Sequence, residues 1–151
     1  MAHRYSEVIN HIAARLPVRP AAYLCLFVIW AILLWFLSAR SPGPNDVLPI
    51  AHLDKVLHFF YFACGGFTLA AYGGLQWPVA SRVKLLMLVT VVSCAIGRLD
   101  EYHQGFIPGR SGNDGGDWLA DTLGGFFGAW FVIRYILAGM AKKQQHSNLD
   151  G

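Results

Sequence analysis

Side chains able to do chemistry are unevenly spread along this chain. The stretch from Arg98 to Gly125, RLDEYHQGFIPGRSGNDGGDWLADTLGG, holds Arg98, Asp100, Glu101, Arg110, Asp114, Asp117 and Asp121, which is 7 of the chain's 21 charged residues in 28 positions. A smaller polar group, Asp54-Lys55-Val56-Leu57-His58, lies upstream. Carboxylates and histidines gathered in one place can bind a divalent cation, activate a water, or pair with basic groups of a ligand. Arginine adds a planar fork suited to phosphate or carboxylate. No fixed metal-ligand spacing such as HExxH is present, so a divalent cation is a candidate partner without assigned ligands.

Spacing sorts these residues. Asp54 and His58 are four apart and share one face of a helix, although a helix N-cap and an interfacial polar residue would explain that pair equally well. Asp117 and Asp121 repeat the spacing. Asp117 can serve as a cap, but Asp121 lies about 6 Å deeper at 1.5 Å per residue, beyond the reach of one. A carboxylate within a membrane span costs about 2.5–3.5 kcal/mol on insertion scales, so Asp121 is expected to face a bundle interior or a wet cavity and to have a partner. Gly124, Gly125 and Gly128 follow on roughly the same face and suit close packing between helices. From Gly105 to Gly116, five of twelve residues are glycine, letting backbone N–H groups approach an anion or cross a tight turn. Arg110 sits among them, as an anion clamp or simply paired to Asp114.

Stepping outward, 55% hydrophobic and 14% charged residues make a composition unlike that of a soluble domain. Ala21 to Ser38 carries no charge and is long enough to approach the roughly 20 residues that cross a bilayer. No small-x-small cleavage site follows it, which disfavours a signal peptide. Leu57 to Leu75, Val83 to Gly97 extended to Gln104, and Trp118 to Leu137 supply three more apolar runs, with no period-2 alternation to suggest strands. The expected fold is an all-α, four-transmembrane-helix bundle over about 21–38, 57–75, 83–104 and 117–137. Residues 1–20 are expected as a cytoplasmic N-terminal segment and 138–151 as a cytoplasmic tail, polar and disordered from Ala141.

Both termini are placed inside because eight of the twelve Lys and Arg then fall on the cytoplasmic side. The same assignment puts seven of the nine acids outside, Asp46 among them. Trp35 and Trp118 at outer boundaries and Trp77 and Tyr23 at inner ones fit interfacial aromatics. Cys25, Cys64 and Cys94 lie inside spans without CxxC spacing and read as small buried apolar residues. The net charge of +3 fits inner-leaflet anchoring, and no basic run interleaved with exposed aromatics points to nucleic acid.

Four motifs in order carry a family resemblance: Asp54-Lys55-x-x-His58-Phe59, Glu101-x-x-Gln104, Phe106-x-Pro108-Gly109-Arg110, and Asp117-Trp118-x-Ala120-Asp121-x-x-Gly124 with Gly128. Over about half the chain it resembles the VanZ-like family of small bacterial membrane proteins, with Asp121 where that family often has asparagine. The family is named for low-level resistance to teicoplanin, a lipoglycopeptide antibiotic acting on cell-wall precursors. The resemblance implies a multi-pass protein of the bacterial cytoplasmic membrane with a role in the cell envelope, but no particular reaction.

Two functional classes follow. One is a binding protein whose outward-facing site, made of Asp54, Lys55, His58, Glu101, Gln104, Arg110, Asp117 and Asp121, takes a lipid head group, a lipid-linked wall precursor or a lipoglycopeptide. The other is a membrane-embedded hydrolase or transferase acting on a phosphate-containing lipid. In that case Glu101, His58 and Asp121 are the catalytic candidates and Arg110 the phosphate clamp.

Overall fold

Pro20 opens the first long helix, its fixed φ and missing N–H costing nothing at a first helical position. In a computed structural model that describes residues 12–13, 15–41, 52–110 and 112–140, the chain forms helices α1 (Pro20–Ser38), α2 (Leu53–Gln76), α3 (Arg82–Gln104) and α4 (Gly115–Phe131). Helix α4 runs on through a π-helical segment, Val132–Ile136, in which the Leu137 N–H reaches back five residues to the Val132 carbonyl. No strand occurs among the described residues. The first eleven residues, the Ser41–His52 connection apart from its two ends, Asp46, and the tail from Ala141 lie outside the described residues.

Three helical stretches, Pro20–Ser38, Leu53–Gln76 and Gly115–Met140, are long and apolar enough to cross a membrane. Helix α3 falls outside that class because Arg98, Asp100 and Glu101 occupy its last turns and Arg82 and Lys84 its first.

Small residues set the helix packing. A Cβ on Gly124 would meet the Phe59 carbonyl, one on Gly128 the Ala63 carbonyl, and one on Gly66 the Gly125 backbone, so α2 and α4 approach backbone to backbone. Because 59 pairs with 124 and 63 with 128, the two helices run parallel. Helix α3 runs opposite to both: Ser93 faces Gly125 and Gly97 faces Asp121, while Trp118 donates its indole N–H to the Cys94 carbonyl at 3.0 Å.

Helix α1 packs chiefly on α2. Trp30 lies in a notch at Gly65, where a Cβ would stand 2.6 Å from its ring. Trp30 and Tyr61 exchange hydrogen bonds, indole N–H to the Tyr61 carbonyl at 2.9 Å and Tyr61 hydroxyl to the Trp30 carbonyl at 2.8 Å. These contacts bring the end of α1, the start of α2, the end of α3 and the start of α4 to one end of the molecule. Every polar motif singled out above converges there.

At the opposite end Ala70, Ala71, Leu75, Val89, Val132 and Ile136 form the apolar core. Tyr23 belongs to that core at 2% exposure, because the face of α1 that carries it turns toward the other helices. Cys25 and Cys64 are free thiols on the outer surface. The expectation of burial fails for them because they stand on helix faces away from the neighbouring helices.

Candidate functional site

The polar end is assembled by three helix termini. Helix α2 begins at Leu53 after His52, whose left-handed backbone (φ 62°) turns the chain into the helix. Asp54 and Lys55 therefore lie in its first turn and His58 one turn deeper. Helix α4 is capped by Asp114, whose Oδ1 accepts the N–H groups of Gly116 (2.7 Å) and Asp117 (3.4 Å). Asp117 is thus inside the helix and its carboxylate is available for other work.

That work is to hold Lys55. The Lys55 ammonium donates to Asp54 Oδ2 at 3.0 Å, Asp114 Oδ2 at 2.9 Å and Asp117 Oδ1 at 3.0 Å. An ammonium has three donors and no acceptor, so its hydrogen-bonding capacity is filled by three carboxylates. It holds the Asp114 carboxyl below its usual range, aided by the Gly116 N–H. Gly116 leaves room for the lysine stem, since a Cβ there would lie 2.6 Å from Lys55 Cε. The three carboxylates lie within 4.8 Å of one another, a spacing that suits a divalent cation. The lysine ammonium already stands among them, so this donor set is saturated by a built-in cation.

One turn deeper, His58 Nδ1 is 2.9 Å from Asp121 Oδ1. Asp121 is fully buried and its Oδ2 has no partner among the described residues. It fits only because position 97 is glycine: a Cβ there would stand 2.8 Å from both Asp121 Cβ and Oδ2. The depth that spacing assigned to Asp121 is thus matched by a histidine partner on α2.

Glu101 is 1% exposed; its Oε2 accepts the Asp114 backbone N–H and its Oε1 has no partner among the described residues. Gln104, also buried, donates to Asp100 Oδ2 at 2.7 Å within α3.

Of the residues expected to form the site, Asp54, Lys55, Asp117 and Glu101 are linked through Lys55 and Asp114, while His58 and Asp121 pair separately one turn deeper. Gln104 lies beside them on Asp100. Arg110 stands apart, donating through Nε to the Arg40 carbonyl at 3.2 Å, where it ties the loop to the end of α1 rather than to the acids. Asp114 is the residue that sequence reasoning undervalued. Its position immediately before Gly-Gly-Asp matches an N-cap whose side chain reaches the second and third helical N–H groups, a local signal that was available. Arg98 was counted but given no role; it hydrogen-bonds the Asn113 side-chain oxygen. His103 lies flat on Trp35, ring centroids 3.8 Å apart, a cross-helix contact that no sequence spacing announces.

Chemically, the set offers a saturated charge hub, a histidine oriented by a buried acid, and two buried carboxylates with an unused oxygen each. No family model, curated protein or solved structure matches this chain.

Proposed function

We propose that this chain is a VanZ-like integral protein of the bacterial cytoplasmic membrane that crosses it four times with both termini inside. Its polar end faces outward and binds a cell-envelope ligand: a lipid head group, a lipid-linked wall precursor or a lipoglycopeptide of the teicoplanin type. The observation that carries this reading is the gathering at three helix ends of a linked set, Lys55, Asp114, Asp117 and Glu101, with the His58–Asp121 pair one turn deeper. Buried polar groups at this density are costly, and clusters of ionisable groups concentrate where ligands bind. The three apolar helical stretches support membrane insertion, and α3 completes a fourth span if its charged end lies at the membrane surface. In that arrangement resistance to glycopeptides or maintenance of the envelope follows from binding, with no bond broken.

Two measurements test the reading. Reporter fusions at both termini should be active only as cytoplasmic reporters. Purified protein should retain an envelope lipid, wall precursor or teicoplanin, and Lys55→Ala, which releases the three carboxylates that the ammonium holds in place, should weaken that retention about tenfold. Retention of none of these ligands would sink the proposal.

One observation favours a second reading, a hydrolase or transferase acting on a phosphate-containing lipid. His58 bound through Nδ1 to a fully buried carboxylate is the arrangement that orients an imidazole for proton transfer at Nε2. Mass spectrometry of membrane lipids and wall precursors in cells expressing wild type, His58→Gln or Glu101→Gln at equal membrane levels would decide. A species altered by wild type alone supports catalysis, and an unchanged profile rejects it.

A further inference from the structure

Charge divides the bundle along its axis. Every Asp and Glu among the described residues lies at the polar end: Asp54, Asp100, Glu101, Asp114, Asp117 and Asp121. The opposite end carries Arg15, Arg19, Arg82, Lys84 and Arg134, and no carboxylate among the described residues. Arg82 and Lys84 stand in the first turn of α3, which holds no acid, where the helix dipole already places positive charge. A cationic surface left unbalanced in this way attracts anions.

One of these cations is held in place. Arg82 reaches from α3 to α4 and donates through Nη1 to the Ile133 carbonyl at 3.3 Å, within the π-helical segment. Its guanidinium keeps donors beyond the one given to that carbonyl, and its fork matches a phosphate. Arg134 follows Ile133 in the chain. Its guanidinium lies 5.3 Å from the centre of the Tyr135 ring, which meets Trp130 edge to face at 5.6 Å. Tyrosine and tryptophan beside a basic residue at the end of an apolar helix mark the level of lipid head groups.

Apolar surface leads inward from Arg82. The Trp118 indole on the Cys94 carbonyl sets one face of α4 beside one face of α3. On α3 that face continues through Val91 and Met87, at i−3 and i−7 from Cys94, toward Arg82; on α4 it continues from Trp118 to Phe126 at i+8. Met87, Val91 and Phe126 are all exposed. The seam between the two helices thus has a cationic fork at its end and apolar side chains running from it toward the middle of the bundle. A phospholipid presents its phosphate and acyl chains in that order. An ammonium head group meets no carboxylate here, which favours a lipid of net negative charge.

We infer that the α3–α4 seam at this end is a binding site for an anionic phospholipid, with its phosphate on Arg82, its acyl chains along Met87, Val91 and Phe126, and Lys84 and Arg134 adding to the attraction. The inference rests on the reading above that the chain crosses a membrane with this end at the inner surface. It is independent of what the outward site binds.

The test uses the full chain purified in a mild detergent and native mass spectrometry of retained lipid. Phosphatidylglycerol and phosphatidylethanolamine are offered at equal concentration, with free glycerol phosphate in a separate arm. Wild type should retain phosphatidylglycerol about tenfold over phosphatidylethanolamine, the scale of one charge-assisted contact, and should not retain free glycerol phosphate. Arg82→Gln keeps a donor for the Ile133 carbonyl and loses the charge, and it should lower phosphatidylglycerol retention about tenfold. Phe126→Ala should weaken both lipids alike. Arg19→Ala removes the same charge from the residue before α1 and should change retention by less than about twofold.

Equal retention of the two lipids by wild type overturns the inference. So does a loss in Arg19→Ala as large as that in Arg82→Gln, because retention would then follow total charge and not a site. Retention of free glycerol phosphate as strong as that of the lipid overturns the lipid assignment. A loss in Lys55→Ala with none in Arg82→Gln puts the lipid at the outward end, so the outward reading stands and this inference fails. Should Arg82→Gln fail to fold, the wild-type preference and Phe126→Ala still decide the matter, since retention untouched by Phe126→Ala also overturns the site.

Discussion

His58 on α2 and Asp121 on α4 meet at 2.9 Å, Nδ1 to Oδ1, where the carboxylate has no exposure at all. The contact joins two helices that approach backbone to backbone just beyond it, at Phe59 and Gly124. The pair is therefore part of the helix interface as well as part of the polar set.

Removing the acid should expose this double role. Asp121→Ala is expected to cost about 2 kcal/mol, the order of a buried partner left unsatisfied, whereas Asp121→Asn keeps an acceptor and should cost under about 1 kcal/mol. Equilibrium unfolding in mixed micelles separates the two. Equal losses would mean that the hydrogen bond contributes nothing.

Gly97 is the seat of that carboxylate. Gly97→Ala places a methyl 2.8 Å from Asp121 Cβ and Oδ2, which should destabilise by about 1–3 kcal/mol through overpacking. Combined with Asp121→Gly the two losses should be less than additive, because removing both the Cβ and the carboxylate makes the room that the methyl needs. Strict additivity in a double-mutant cycle would rule out the contact.

Lys55 stands where a metal ion would. Lys55→Met leaves the carboxylates of Asp54, Asp114 and Asp117, all within 4.8 Å of one another, with no cation among them. That variant should be less stable in chelator and regain thermal stability on adding calcium or manganese, while wild type is indifferent to both. Thermal unfolding with and without the ion reads this out. A variant equally unstable in both would show that the acids are too loosely held to coordinate.

Acid should loosen the hub from the Asp114 side. The folded-state pKa of Asp114 is depressed by Lys55, so its contribution is fully present above the unfolded value of about 4 and is lost as pH falls through the lower folded value. Wild type should lose melting temperature below about pH 4, with a shallower loss in Lys55→Met. Asp114 is substantially exposed, which keeps the effect small. Identical pH profiles would dissociate the acid sensitivity from this pair.

Much of this arrangement was legible in the residues. The pairs Asp54/His58 and Asp117/Asp121 announced two helix faces, and the depth of Asp121 announced a partner. The partners themselves were not legible: Lys55 lies 59 and 62 positions from Asp114 and Asp117, and His58 63 from Asp121. Such pairings depend on how α2 and α4 slide past each other, and that register is set by Gly124 and Gly128 seating on the Phe59 and Ala63 carbonyls. Arg110 looked like the anion clamp because glycines surround it, yet loop closure carries it to the Arg40 carbonyl. Arg98 carried no assigned role, and only the fold shows that it meets the Asn113 side chain.

The π-helical segment Val132–Ile136 acts on α4 as a phase slip. An α-helix advances about 100° per residue, so a face that is inward at Asp121, Gly124 and Gly128 would have rotated well away by Leu137 and Met140. The wider turn winds back part of that rotation, and Ile136, Leu137 and Met140 are all buried. One continuous helix thus presents carboxylates and glycines inward at one end and aliphatic side chains inward at the other. Deleting a single residue between 132 and 136 would let the segment relax to ordinary α-helix. The distal half of α4 would then keep its phase, whereas straightening the segment at full length would turn that half as a screw turns in its thread and leave the polar end in place.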